Sequence, residues 1–199
     1  MASVSIKLAT SVTELNQIIE LQRQNLRAYL SDAEKASQGF VIAQYSLPFL
    51  KSINEVSPAI ILKTDEVVGY AIAVTKTQGS KHPLLSTMLS QFDKQTHHGV
   101  ALAEEDYIVV GQLCVAKNFR AKGYVDQLYS FFKANYQSYS YCVTAIDSEN
   151  YRSLAVHRRC GFKKIGTLTL GERPGQIVIW DWKKEHSPKP QCLIITLNC

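Results

Sequence analysis

Apolar residues recur along the chain with two periods, one of two residues and one of three to four, which predicts strands interspersed with helices. Residues 4–9 alternate as a strand does. Ser11 and Glu14 then form a capping box, which signals the start of a helix. The helix after it carries an apolar stripe made of Leu15, Ile18, Ile19, Leu26, Tyr29 and Leu30. The chain is therefore expected to begin with a strand and an amphipathic helix.

A second helix and a hairpin are predicted next. Ser46 followed by Pro48 favours a helix that starts near Leu47, because proline is well tolerated in the first turn. Residues 59–63 and 67–75 are rich in β-branched and aliphatic side chains and are joined by a short polar turn. This pattern is typical of an antiparallel hairpin.

Residues 78–106 are interpreted as an insertion. One helix is predicted behind Pro83, where an apolar face recurs at helical spacing. That face consists of Leu84, Leu85, Met88, Leu89 and Phe92. The rest of the insertion, residues 94–106, is expected to be a loop.

The second half of the chain predicts strand, helix, strand, helix and a closing pair of strands. Residues 107–115 form a long apolar strand, and the core side of the next helix is then marked by Val125, Leu128, Tyr129, Phe132 and Tyr136. The later elements are a strand over 141–146, a helix over 153–159 and antiparallel strands over 162–170 and 176–182, joined around residues 173–175.

Composition bounds the class of protein. A hydrophobic fraction of 46% with 20% charged residues is ordinary for a soluble globular chain, and no apolar run approaches the ~20 residues of a membrane helix. A length of 199 residues suits one domain, which we place at residues 1–184. Residues 185–199 form a tail that is expected to add an edge strand or to mediate a homodimer.

Cysteines and charge exclude other classes. The five cysteines are scattered without a Cys-x-x-Cys pair, which argues against a disulfide framework and a zinc site. The net charge of +5 is modest and spread along the chain, so we expect neither a nucleic-acid partner nor a membrane partner. The N-terminal residues lack the pattern of a signal peptide, which predicts a cytoplasmic location.

The segment 111–125 carries the most chemical information. An apolar strand runs into a basic turn, with Arg120, Lys122 and Gly123, that opens a helix. The first N–H groups of a helix lack intrahelical partners and the helix dipole adds positive charge there, so the junction suits a phosphate group. A surface turn with two solvated basic residues has the same sequence pattern, so a second signal is needed.

The second signal is the segment 150–162, in which Asn150 precedes a short helix and Gly161-Phe162 opens a strand. Together the two segments resemble the GNAT superfamily of acetyl-CoA-dependent N-acetyltransferases. That family has a pyrophosphate loop of the form (Gln/Arg)-x-x-Gly-x-(Gly/Ala), and a later motif that runs from Asn to Gly-Phe around a catalytic Tyr. Two positions depart from the family pattern, because Val125 replaces a small residue and His157 replaces the Tyr.

The resemblance implies an α/β (α+β) fold with a mixed, mostly antiparallel twisted sheet of about seven strands and helices on both faces. It also implies that the chain transfers an acetyl group from acetyl-CoA, without a metal, to a primary amine of a small molecule or peptide. The residues that it assigns to acetyl-CoA are Leu113, Cys114, Val115, Arg120, Ala121, Lys122, Gly123, Tyr124, Val125 and Asn150. Gly111 is expected to mark a bulge where two strands separate.

Catalytic groups follow less directly. Glu104 and Glu105 rank first as general bases, because the family often places the base at the start of this strand, and Asp106, Asp147 and Glu149 are the alternatives. His157 is the candidate general acid, with a histidine that merely fills the helix–sheet interface as the alternative. Asn150 also suits a helix N-cap.

Two other functions are compatible with some features. A non-catalytic acyl-CoA-binding regulatory module agrees with the departures at Val125 and His157. A nucleic-acid-binding protein rests on net charge alone and is disfavoured. No motif identifies the acceptor.

Overall fold

The computed structural model describes residues 3–183, and their main element is one sheet of seven strands in the order β1-β2-β3-β6-β7-β9-β8. A second, two-stranded sheet pairs β4 with β5. The strands are β1 (Ser5–Leu8), β2 (Ile60–Lys63), β3 (Val67–Val74), β4 (Thr96–His97), β5 (Val100–Ala101), β6 (Tyr107–Val115), β7 (Tyr141–Asp147), β8 (Lys163–Leu170) and β9 (Arg173–Asp181). All neighbours in the large sheet are antiparallel except β6 and β7. The expected fold is therefore confirmed.

Helices cover both faces of this sheet. They are α1 (Val12–Asn25), α2 (Asp32–Gln38), α3 (Leu47–Asn54), α4 (Lys76–Gly79), α5 (Pro83–Phe92), α6 (Tyr124–Tyr136) and α7 (Tyr151–Arg159). Apolar residues of α1, α3 and α5 share one core cluster, and those of α6 belong to the other. Strand β3 separates the two layers, since Tyr70 and Ile72 point into the first cluster while Ala71 and Ala73 point into the second.

Local sequence signals explain where most elements begin. Ser11 and Glu14 make the predicted capping box at α1, and Ser46 caps α3 with Pro48 in its first turn. The hairpin of β2 and β3 and the helix α5 also lie where they were predicted. Within residues 3–183, no helix combines the length and apolarity that a membrane crossing needs.

Three predictions for the connections were wrong. Helix α2 was missed, and residues 94–106 hold the hairpin of β4 and β5 rather than a plain loop. The closing turn lies at residues 171–172, because Arg173 and Pro174 already pair with β8. Residues 185–199 lie outside the described residues, so the expected edge strand or dimer contact remains a prediction, as does the single domain over residues 1–184.

Candidate active site

The two central strands separate halfway along their length. β6 and β7 pair only from Tyr107 with Tyr141 to Val109 with Val143, after which β6 continues along β3 and β7 along β9. At the point of divergence, the Thr144 hydroxyl donates to the Val110 carbonyl at 2.8 Å. The result is a V-shaped cleft between the C-terminal halves of the two strands.

A β-bulge lies on the β6 side of this cleft. The register with β3 shifts between Ile72, which faces Gln112, and Ala73, which faces Val110, and this leaves Gly111 as the extra residue. A Cβ at Gly111 would lie 2.7 Å from a methyl group of Val74, so only glycine fits without displacement. The Tyr45 hydroxyl donates to the Gly111 carbonyl at 3.1 Å. The predicted bulge is confirmed.

Two adjoining cavities open along the cleft. The larger has a volume of about 370 Å³ and extends from the end of β6 to the start of α6 and one side of α7. The smaller, of about 70 Å³, lies deeper between β6, β7 and α5. They share a wall made of Phe40, Val41, Leu113, Asn150, Ser153 and His157.

The predicted phosphate loop lies at the mouth of the larger cavity. Ala121 and Gly123 both have left-handed backbones, with φ of 60° and 76°. The first intrahelical hydrogen bond of α6 runs from the Gln127 N–H to the Gly123 carbonyl at 3.3 Å. By helix geometry, the N–H groups just before Gln127 have no carbonyl behind them, so they form a site suited to an anion.

Arg120 uses its side chain inside the protein. Its guanidinium donates to the Val115 carbonyl at 2.7 Å and to the Gln38 carbonyl at 3.0 Å, and it also contacts Asn25 Oδ1. These contacts tie the loop to α1 and α2. The prediction that the Arg120 charge reaches a phosphate is therefore not supported by its geometry, whereas Lys122 is exposed beside the loop.

The other positions assigned to acetyl-CoA fall into two groups. Leu113, Cys114, Val115, Tyr124 and Val125 line the larger cavity. Burial raises the pKa of Cys114 to about 11, which keeps this thiol protonated and unreactive. Asn150 also lines the cavity, but its Oδ1 caps α7 through the Ser153 N–H at 3.2 Å and its Nδ2 donates to the Phe40 carbonyl at 2.8 Å.

His157 lies at the junction of the two cavities and is 5% exposed. Its Nδ1 lies 2.8 Å from the Ser153 carbonyl, and its Nε2 lies 2.7 Å from the Tyr129 hydroxyl. A carbonyl only accepts, so Nδ1 carries the proton and Nε2 accepts from Tyr129. Burial lowers the pKa of His157 to about 4, against a smaller opposing effect of the Ser153 hydrogen bond. The imidazole is therefore neutral at pH 7.

The structure does not bring Glu104 or Glu105 to this site. Both precede β6, whereas the cleft begins at Val110, so about six residues, or roughly 20 Å of strand, separate them from the bulge. Glu104 is exposed, and Glu105 accepts from the Lys183 ammonium at 2.7 Å. Among the described residues, neither lines either cavity.

Of the alternative bases, Asp147 does reach the smaller cavity. Its side chain is 1% exposed and paired with Arg173 at 2.6 Å. Burial alone would raise the pKa of this carboxyl, but the hydrogen bonds from Arg173 and from the Glu149 N–H lower it overall. Glu149 lies outside both linings and pairs with Arg173 and Arg27.

Several residues at the site were not predicted. The sequence predicts only a core position for Tyr129 and no role for Tyr45. It also does not identify Asn25 and Gln38 as partners of Arg120. A signal for Gln38 was present, because Ser31 and Glu34 form a capping box that starts α2. The two tyrosines offered no local signal beyond their apolar spacing.

Residues 22–162 match the model of the acetyltransferase (GNAT) family. The match covers well over half of the chain, so the chain belongs to this family. The family uses acetyl-CoA as its acetyl donor and needs no metal. A search of curated proteins found no match.

Solved structures share the fold at low sequence identity. An N-acetyltransferase from Staphylococcus aureus Mu50 is 18% identical, with a TM-score of 0.60 over 91% of this chain and 99% of that one. The putative acetyltransferase yncA from Salmonella typhimurium, with its cofactor acetyl-CoA, is 14% identical, with a TM-score of 0.59 over 96% and 100%. A chain of the NatC complex bound to Gag peptide and CoA is 14% identical, with a TM-score of 0.60 over 90% and 98%.

Proposed function

We propose that this chain is an acetyl-CoA-dependent N-acetyltransferase that acts on a primary amine of a small molecule or peptide. The main observation in support is that the V-shaped cleft, the bulge at Gly111 and the helix start at Gly123 border two adjoining cavities that share a wall. Acetyl-CoA occupies the larger cavity in this proposal, with its pyrophosphate at the loop 120–125. The amine enters from the smaller cavity.

In this proposal some residues bind acetyl-CoA through backbone groups and others act through their side chains. Backbone groups of Leu113 and Val115 face the pantetheine arm, because the backbone of Cys114 between them pairs with Tyr70 of β3. The N–H groups from Ala121 to Val125 face the pyrophosphate. Lys122 adds a charge from the rim, while Arg120 and Asn150 position the loop and α7 through their protein contacts. This division supports binding even though two side chains of the motif are already engaged.

Acetyl transfer by direct attack needs a neutral amine. The amine nitrogen bonds to the thioester carbonyl carbon, the carbon–sulfur bond breaks, the amine loses one proton, and the thiolate gains one. The neutral imidazole of His157 carries its proton on Nδ1 and donates it to the Ser153 carbonyl. We therefore assign His157 to positioning Tyr129 and α7 rather than to protonating the thiolate. A thiolate with a pKa near ~8.5 leaves readily and takes its proton from water.

The acceptor class is proposed from the basicity of the groups that line the smaller cavity. Among the described residues lining the smaller cavity, the titratable side chains other than tyrosine are Asp147 and His157. The first has a lowered pKa and the second is largely neutral with a pKa of about 4. Weak bases favour amines that are already partly neutral, so we propose an acceptor of α-amine type, with a pKa of about 8, rather than a lysine side chain.

A paired amine assay tests this function. The α-amine of a short peptide and the ε-amine of an α-blocked lysine are incubated with acetyl-CoA, and the acetylated products are counted by mass spectrometry. At pH ~7.4 the neutral fractions differ by roughly two orders of magnitude, and kcat/KM should differ similarly. Equal rates would show that a strong base acts in the cleft.

The alternative is a non-catalytic acyl-CoA-binding module. The engaged side chains of Arg120 and His157 favour it, since neither points freely at a ligand. This alternative predicts acetyl-CoA binding without product for every amine in a broad panel. Acetylation of any amine above the rate without protein would exclude it.

A further inference from the structure

Two histidines and an aspartate converge outside the two cavities of the cleft. His97 Nε2 lies 3.1 Å from Asp181 Oδ2, and His98 Nε2 lies 3.2 Å from the same oxygen. The three donor atoms lie within 4.8 Å of one another. The His97 and Asp181 side chains are each 12% exposed, whereas His98 is 52% exposed, so the group is accessible from one side.

The separations suit a metal ion as well as hydrogen bonds. Nitrogen and oxygen ligands lie about 2.0–2.2 Å from Zn²⁺, so two ligands of a tetrahedral site are roughly 3.3 Å apart. Both nitrogen–oxygen separations, of 3.1 and 3.2 Å, are close to that value. Imidazole and carboxylate donors favour Zn²⁺, Co²⁺ or Ni²⁺ over Mg²⁺ or Ca²⁺.

The backbone holds these donors in place. His97 closes the hairpin of β4 and β5 by pairing with Val100. His98 occupies the turn with φ of 51°, a left-handed conformation that non-glycine residues rarely adopt. On the other side, Asp181 Oδ1 accepts from the Lys183 N–H at 2.9 Å, which orients the carboxylate as an outer-shell contact orients a metal ligand.

We propose that His97, His98 and Asp181 bind a divalent transition-metal ion that joins the insertion hairpin to the end of β9. Asp181 pairs with Tyr141 at the start of β7, whereas the cleft begins at Thr144, about 10 Å further along that strand, and none of the three residues lines either cavity of the cleft. The metal is therefore structural and takes no part in acetyl transfer. In the sequence, only the spacing of the cysteines argued against a zinc site, and this site is made of histidine and aspartate side chains.

A titration of the full chain with Co²⁺ tests the site. We expect one equivalent to bind with the visible absorption of nitrogen and oxygen ligation. His97→Ala, His98→Ala and Asp181→Asn should each weaken binding at least about tenfold, as outer-shell changes alone already do in metal sites. Asp65→Asn, in the exposed turn between β2 and β3, is the matched control and should bind as the wild type does.

Two results would overturn the proposal, and neither depends on the variants being stable. The first is failure of the wild type to bind Co²⁺ or Zn²⁺. The second is an intense thiolate charge-transfer band, which would assign the ion to the cysteines. A supporting measurement is thermal unfolding with Zn²⁺, which should raise the midpoint of the wild type and of Asp65→Asn but not that of Asp181→Asn, because only a bound ion stabilises the folded state.

Discussion

At the scale of single residues, the protonation state of His157 depends on its neighbours in the fold and not on its position in a sequence motif. The motif resemblance predicts that it stands at the position of the catalytic Tyr of the family. The surrounding residues then decide its chemistry, because the Tyr129 hydroxyl and the Ser153 carbonyl occupy both ring nitrogens. The protonation state follows from burial and from partners on α6 and α7, and no sequence spacing predicts these.

The buried imidazole makes stability depend on pH. Burial lowers the pKa of folded His157 to about 4, while the unfolded value is near ~6.5. The unfolded chain is therefore protonated first as the pH falls. The stabilisation is complete above pH ~6.5 and is lost towards pH ~4.

We predict that the unfolding free energy of the wild type falls by about 2 kcal/mol from pH 7 to pH 5 because of His157. Each pH unit below the unfolded pKa of this residue contributes ~1.4 kcal/mol. Urea unfolding at the two pH values, on the wild type and on His157→Gln, measures this loss. The unfolding free energy of His157→Gln should fall by about 2 kcal/mol less than that of the wild type over the same range, because glutamine does not titrate. Parallel losses in both proteins would mean that His157 is not buried in the neutral form.

At the scale of elements, the strand that ends at Asp147 is tied to β9 by an ion pair beside the cleft. Asp147 is almost fully buried, and Arg173 contacts both of its oxygens, at 2.6 and 3.0 Å. The pair of Arg159 with Asp126, which links α7 to α6, has the same two-bond geometry but is exposed at 57% and 46%. The two pairs therefore differ in burial, and Arg173 also pairs with the exposed Glu149.

This difference predicts unequal effects of one substitution. Arg173→Gln leaves a buried charge without its partner and should lower the unfolding free energy by about 3 kcal/mol. Arg159→Gln removes a solvated pair and should cost less than about 1 kcal/mol. Chemical unfolding at pH 7 compares them directly. Equal losses would contradict the burial of Asp147.

Elements with a strong apolar period were predictable, and connections were not. Helix α2 has no buried residue, so it lacks the stripe that marks a helix, and only its capping box announces it. Glu104 and Glu105 rank first because the family often places its base at the start of this strand, but the sequence does not tell which end of the strand separates from its neighbour. The divergence of β6 from β7 depends on pairing between distant segments.

At the scale of the whole molecule, two segments far apart in sequence build one site. The bulge of β6, the start of α6 and the shared wall at α7 meet only because the sheet order places β6 beside β7. Gly123, in the phosphate loop, is the position where a substitution tests this arrangement best. Gly123 has φ of 76° and a Cβ there would meet nothing within 4 Å, so a substitution acts through backbone strain and through its effect on a bound ligand.

The central claim is that acetyl-CoA binds at this loop, and calorimetric titration of Gly123→Asp against Gly171→Asp tests it most directly. Gly171, in the turn between β8 and β9, also has a left-handed backbone, with φ of 65°, and open space around its Cβ, so both variants carry the same strain of about 1 kcal/mol. We predict that acetyl-CoA binds the wild type and Gly171→Asp equally and that Gly123→Asp loses binding, because a carboxylate repels the pyrophosphate. Equal binding by both variants, or none by the wild type, would contradict the proposed site.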